Sequence, residues 1–332
     1  LKYYDKAILL EPNNHDFLYN KGYVLLKQKK YNLAWDYLEN RIYTHKYNYK
    51  LNNQIKNRLL ISRKLDEIKN LVVVAEQGLG DEILFSSIYK DLIKLNINLK
   101  FISDSRLFLL LKRSFGDFEF IKKNNYDRIN ELILNKYQFI YSGSLGKYFR
   151  NKISDFDGES FLLEDKKKVE KNKSILSKYN FKKLVGISWK STAKEVGEKS
   201  LDLNDLKDLF YEKDIGFINL QYGNNDDLKK FNLINQNKII EIQNIDLFND
   251  IDDVISLIYC LDLVITTPNV NVHFAGSIGK KCIVISPAYN ELFLYSEVNK
   301  GKCEWYKNQT NLIINNNIKS VLNETIKHLK TI

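Results

Sequence analysis

The sequence predicts an α/β protein of two tandem domains, each a doubly wound parallel sheet, preceded by a helical repeat. Three observations carry that expectation. From residue 71 onward, short apolar β-branched runs alternate with amphipathic segments, the pattern that places helices on both faces of parallel strands. The stretch 71–83 (LVVVAEQGLGDEI) runs from an apolar segment through two glycines and an acid into a helical period. That is how a strand–turn–helix unit opens. The first 46 residues, by contrast, carry only a helical pattern, with small and aromatic residues at fixed offsets.

Composition narrows the class. A chain of 332 residues holds two to three domains, and 44% hydrophobic with 28% charged residues fits a globular protein. No apolar run approaches the ~20 residues that cross a bilayer, so no transmembrane segment is expected. The start carries no signal-peptide pattern. The chain begins at Leu1, contains no Met and opens on half a repeat, so it is expected to be a piece of a longer protein. Cys260, Cys282 and Cys303 are odd in number and form no C-x-x-C. Neither a disulfide framework nor a zinc site is expected, and a reducing cytoplasm fits. Four scattered histidines argue against a structural metal. The net charge of +10 favours anionic partners. The basic residues are spread through a chain rich in Lys, Asn and Ile, and no recognised module accompanies them. Nucleic acid is therefore not an expected partner.

Residues 1–46 place Gly22, Tyr31, Ala34 and Tyr37 at the packing positions of a tetratricopeptide repeat. Pro12 stands at the usual inter-repeat position. About one and a half repeats are present, and such units need neighbours for stability. This part is expected to bind a protein partner or to act as a spacer. Residues 47–70 read as a charged helical connector.

The first α/β domain, 71–165, is expected to contain strand 71–75, helix 81–95, strand 98–102, helix 105–114, strand 118–121 and strand 137–141. A linker is placed within 142–180, which includes a polar loop and the charged helical run 164–178. The second domain, 180–332, follows with strand 183–188, helix 203–211, strand 215–220, helix 224–232, strand 238–242, helix 250–260, strand 262–266, helix 270–279 and strand 281–285. A last helix, 317–330, could cross back onto the first domain. Two such domains in tandem would leave a cleft at facing carboxyl edges, where ligands of this architecture bind.

Within that frame, Gly78 and Gly80 are read as permitting positive φ and close approach, and Asp81 as standing where the crevice opens. A helix cap is an equally good reading of Asp81. The dinucleotide fingerprint fails at Ile83, so a nicotinamide enzyme is not expected. In the second domain, Ser188, Lys190 and Ser191 follow a buried strand, and the basic loop continues through Lys194 and Lys199. Lysines at a strand's carboxyl end suit a diphosphate. Gln221 and Gly223 end the next strand, where a base or ribose can be approached. The run 261–280 delivers Thr267 to a turn at Pro268. There Asn269, Val270 and Asn271 open a helix whose free N–H groups suit an anion. His273, one turn in, is read either as a ligand contact or as a satisfied structural residue, with the structural role favoured.

Taken together, these residues resemble the bacterial tetratricopeptide-linked relatives of the ADP-heptose:lipopolysaccharide heptosyltransferases, glycosyltransferase family 9, with the GT-B fold. The resemblance rests on four features in order: the N-terminal repeat, EQGLGD at 76–81, GISWK at 186–190 with Lys199, and the D-L-V-I-T-x-x-N-x-x-x-H-x-A-G-x-x-G-K run at 262–280. Pro287 and Trp305-Tyr306 loosely echo the family's tail. Pro268-Asn269 departs from the family, which commonly has Asp-Thr or Asp-Ser there. The resemblance implies sugar transfer from a nucleotide donor to a glycan, lipid-linked glycan or protein acceptor, with inversion and without metal or cofactor. It implies Asp81 as general base, Lys190 and Lys199 on the donor phosphates, and Asn269, Val270 and Asn271 as the helix-start cradle. The expected location is the cytoplasm or the inner-membrane periphery. The competing expectation is a non-catalytic scaffold with a degenerate sugar-nucleotide domain.

Overall fold

The structure is a computed structural model that describes residues 1–44, 53, 55–60, 64–191, 199–236, 238–287, 303–314 and 317–331. Lys194 lies outside the described residues. The chain divides into two compact units, Leu1–Asp157 and Gly158–Ile332.

The first unit opens with helices Lys2–Leu10, His15–Lys27 and Tyr31–Leu38. Asn14 caps the second of these, its side chain accepting from Asp16 N and Phe17 N at 3.1 and 3.2 Å. A Cβ on Gly22 would lie 2.9 Å from Leu38 Cγ, which is why the repeat needs a small residue there. The sheet that follows is wholly parallel in the order β3-β2-β1-β4: β1 is Asn70–Val74, β2 Asn98–Ser103, β3 Glu119–Lys122 and β4 Gln138–Tyr141. As an inner strand β1 is covered on both faces, which accounts for its unbroken apolar run from Leu71 to Val74.

The repeat does not stand apart from this sheet. The Trp35 indole N–H donates to Arg150 O at 2.7 Å, and a Cβ on Gly146 would fall 2.5 Å from the Trp35 ring. The connector also differs from expectation. Among its described residues Asn53 and Ile55 are helical, and short 3-10 turns follow at Lys56–Arg58 and Leu65–Glu67 in place of a continuous helix. Between them Leu60 N donates to Phe139 O, so the chain runs beside β4. The helix expected at 81–95 is two, Leu79–Ser86 and Tyr89–Ile93. Ser86 and Ser87 turn their hydroxyls back onto Ile83 O and Leu84 O, competing with the next helical turn. Helix Tyr126–Leu134 is an addition to the expected elements; Asn125 caps it, and Ile129 and Leu132 bury its inner face.

The second unit is a six-stranded parallel sheet, ordered β10-β9-β8-β5-β6-β7. Its strands are β5 Lys183–Ser188, β6 Ile215–Asn219, β7 Ile239–Ile240, β8 Leu263–Thr266, β9 Cys282–Pro287 and β10 Gln309–Ile314. The charged run is helical as expected, over Lys166–Leu176, but it belongs to this unit rather than to a linker. It is held on helix Ile251–Tyr259, where Asn172 Nδ2 and Lys171 Nζ reach the Asp253 carboxylate at 2.9 and 2.7 Å. The last helix, Ile318–Lys330, buries Val321, Leu322 and Leu329 in the core of its own unit. Instead of a full helix at 203–211 there are turns and a 3-10 segment, Lys207–Tyr211. β10 is a further addition, hidden in the sequence because its three apolar residues, 312–314, are flanked by asparagines on both sides.

Two further facts bear on function. No helix of the described residues is long and apolar enough to cross a membrane. Because β8, β5 and β6 are adjacent and parallel, the turns that follow them share one edge of the sheet.

Candidate functional site

That shared edge collects most of the residues singled out in the second domain. Ser188 ends β5 and Thr266 ends β8, and their hydroxyls share a hydrogen bond of 2.6 Å. Asn269 caps helix Val270–Ser277, its Oδ1 accepting from Asn271 N at 2.9 Å and from Thr266 Oγ1 at 3.1 Å. Its Nδ2 donates to Ser188 Oγ at 2.9 Å and to Lys190 O at 3.0 Å. Asn271 Nδ2 donates to the same Ser188 Oγ at 3.0 Å and to Leu220 O at 3.1 Å. Thr267 is buried, its amide donating to Ser188 O. Four polar side chains thus lash three turns together. Ser188, Thr267 and Asn269 were expected as ligand contacts, but their bonds shape the cradle from within. The Asn271 carbonyl is different. Its residue is 1% exposed, and Oδ1 has no hydrogen-bond partner. A buried acceptor without a donor is costly.

Gln221 has a similar internal task. Its Oε1 accepts from Trp189 N and Lys190 N at 3.1 and 2.8 Å, fixing the start of the basic loop. Trp189 is fully buried, and its indole N–H donates to Asp227 Oδ2 at 2.6 Å. Lys190 Nζ pairs with that same oxygen at 2.7 Å. Burial alone would raise the Asp227 carboxyl, but the Lys190 and Trp189 hydrogen bonds hold it below the usual carboxylate range. Lys190 thus meets any incoming anion in competition with Asp227. Lys190, Ser191, Lys199 and Val270 are each partly exposed.

His273 lies buried beside Tyr306. It is 4% exposed, and its Nδ1 shares a 3.0 Å hydrogen bond with the Tyr306 hydroxyl. Gly276, one turn later, makes room for that ring, since a Cβ there would lie 2.3 Å from Tyr306 Cγ. Burial, aided by the nearby Lys199 charge, lowers the His273 pKa from 6.5 to about 3. In the unfolded chain the imidazole takes up a proton near pH 6.5, whereas the folded one stays neutral down to about pH 3. Its contribution to stability is therefore complete above pH 6.5 and falls as the pH drops below it, by about 1.4 kcal/mol per unit. Replacing it as His273→Gln is expected to flatten the urea-derived stability profile between about pH 6 and 4 by that slope.

Beside the cradle lies a cleft of about 320 Å³. Gln221, Tyr222 and Gly223 form one wall, and the segment after β7, from Glu241 to Phe248, forms the other. Gly223 has φ +91°, with open space where a Cβ would stand, so this backbone can be approached closely. The Tyr222 and Phe248 rings lie 5.9 Å apart, and Asn225 Oδ1 is buried without a partner. Asn225, Glu241 and Phe248 are not singled out by the sequence. Their one signal there is position, just past strands that share the functional edge.

In the first unit, Asp81 occupies the third position of helix Leu79–Ser86, and its Oδ2 accepts from Gly78 N at 3.2 Å. This is half of a capping box. The glycines play a different part from the one expected. Gly78 has φ −93°, and Gly80 lies inside the helix, whereas the left-handed residue of the turn is Gln77, with φ +58°. Next to Asp81, Glu82 is 1% exposed and is held by Ser103 Oγ, Asp104 N and Lys123 Nζ. Among the described residues no group of three or more His, Cys, Asp or Glu could hold a metal ion, and all three cysteines are free.

The tetratricopeptide repeat family matches residues 3–36. Protein FlbA of Caulobacter vibrioides is 28% identical over 239 residues, which are 66% of this chain and 40% of that protein. The chain thus spans about two fifths of the length of the curated relative it matches. Among solved structures, ADP-heptose LPS heptosyltransferase II of E. coli superposes with a TM-score of 0.55 at 11% identity, covering 79% of this chain and 99% of that one. The glycosyl transferase family 9 protein of Veillonella parvula does so at 0.51 and 12%, covering 80% and 90%. The two parallel α/β units have the fold of these glycosyltransferases, as the motifs had implied, and in this chain a helical repeat precedes them.

Proposed function

We propose that the protein is a glycosyltransferase that moves a sugar from a nucleoside-diphosphate donor to a hydroxyl acceptor, with inversion and without a metal. The observation that carries this reading is the pairing, on one edge of the second sheet, of an anion cradle with a nucleoside-sized cleft. Asn225, whose buried carbonyl oxygen has no hydrogen-bond partner, lines that cleft. The nucleoside occupies the cleft between Gly223 and Glu241. The diphosphate meets Lys190, Lys199 and the positive end of helix Val270–Ser277, whose Asn271 and Val272 amides stay with the cap Asn269, and these stabilise the charge that develops on it as the glycosidic bond breaks. Asp81 accepts the proton of the acceptor hydroxyl as its oxygen attacks the anomeric carbon from the face opposite the diphosphate. The acceptor is a glycan, a lipid-linked glycan or a protein, and the repeat serves a protein partner.

The test is calorimetric titration with ADP, GDP and UDP and their sugars, backed by thermal shift. One nucleoside diphosphate is expected to bind with 1:1 stoichiometry. At a free concentration about a hundredfold above its Kd it should stabilise the fold by about 2.7 kcal/mol. No affinity for any of them would favour the scaffold reading instead.

A further inference from the structure

The repeat meets the Asp81 turn through one buried ion pair. Arg41 sits in the 3-10 turn Glu39–Tyr43 that ends the repeat, and is 4% exposed. Its Nε and Nη2 donate to the two oxygens of Glu76, each at 2.7 Å, and Nη2 donates also to Ser144 Oγ at 2.8 Å. Glu76 Oε1 accepts in addition from Gly143 N at 2.7 Å, so closely that a Cβ on Gly143 would lie 2.6 Å from that oxygen. One carboxylate thus ties together the turn after β1, the turn after β4 and the repeat. Buried ion pairs are a poor source of net stability, because desolvation offsets their attraction. What this pair does provide is a fixed position. The residue after Glu76 is Gln77, held at φ +58°, where an L side chain stays only if its surroundings over-determine it. Gly78 and the helix bearing Asp81 follow at once.

We infer that Arg41 and Glu76 are positioning residues. Their pair holds Gln77 in its left-handed conformation and so sets where Asp81 stands. The repeat is then a structural wall of the acceptor side, and a partner that displaces the turn Glu39–Tyr43 acts on Asp81 through this pair. The inference rests on the reading of Asp81 as the base.

The experiment uses the double variant Arg41→Met/Glu76→Met, which replaces the pair with apolar chains of similar reach, with and without Gln77→Gly. Amide exchange at residues 77–82 is expected to quicken at least tenfold in the double variant while protection of β1 and β4 stays as in the wild type. The kcat should fall about a hundredfold, as expected for a small misplacement of a reacting group, at unchanged donor Kd. Gln77→Gly, which removes the conformational penalty, should restore kcat several-fold. Unchanged exchange with unchanged kcat would overturn the inference. So would a general loss of protection across the sheet, which would make the pair a stability element only. If the wild type turned over no donor, the reading of Asp81 would fall, yet the exchange experiment would still decide whether the pair holds the turn.

Discussion

The substitution Asp81→Asn is expected to lower kcat by about a thousandfold, within the range that a positioned general base supplies. Donor affinity should stay within about twofold, because the groups proposed to bind the donor belong to the second unit. The change removes one charge and keeps the shape. The carbonyl oxygen of the new carboxamide can still accept from Gly78 N, so that capping bond survives and the fold loses at most about 1 kcal/mol. That makes the variant diagnostic: a large loss of turnover with intact melting and intact donor titration assigns a chemical role. A near-normal rate would reduce Asp81 to the cap of its helix.

The second large effect is expected at Asn269→Ala. This side chain caps helix Val270–Ser277 and bonds both Ser188 Oγ and Lys190 O. Its loss removes a cap worth about 1 kcal/mol. It also leaves Thr266, Ser188 and the Lys190 carbonyl short of a buried partner, at roughly 1–3 kcal/mol for such a group. A loss of about 3 kcal/mol in urea denaturation is expected, together with at least tenfold weaker donor binding, since the turn carrying Lys190 and the helix start would no longer be lashed together. Stability loss with unaltered donor affinity would separate the network from the binding site.

The structure also explains which readings were open to the sequence. Short-range chemistry showed plainly. The apolar run 71–74, the helix start at Asn269 and the repeat's Gly22 are local signals whose physical cause lies within a few residues or in a strict period. The departures have equally physical reasons. Helix 81–95 breaks because Ser86 and Ser87 capture carbonyls three residues back. The run 164–178 resembles a linker because its charges conceal the narrow stripe of Val169, Asn172 and Leu176 that packs inward. The role of His273 stays open along the chain because its partner Tyr306 lies 33 residues away.

By itself, the sequence determined the parallel α/β class, most of the strands and helices in their order, the repeat and the three turns on which the candidate chemistry is read, since periodicity and turn chemistry act along the chain. Only the tertiary structure decided what those side chains do. Ser188, Gln221 and Asn269 bond inward, Lys190 shares Asp227, the left-handed residue is Gln77, and Glu76 takes its partner from Arg41 in the repeat. Each of these outcomes depends on which distant groups come within hydrogen-bonding reach. Parallel strand order sets that distance, and no stretch of neighbouring residues encodes it.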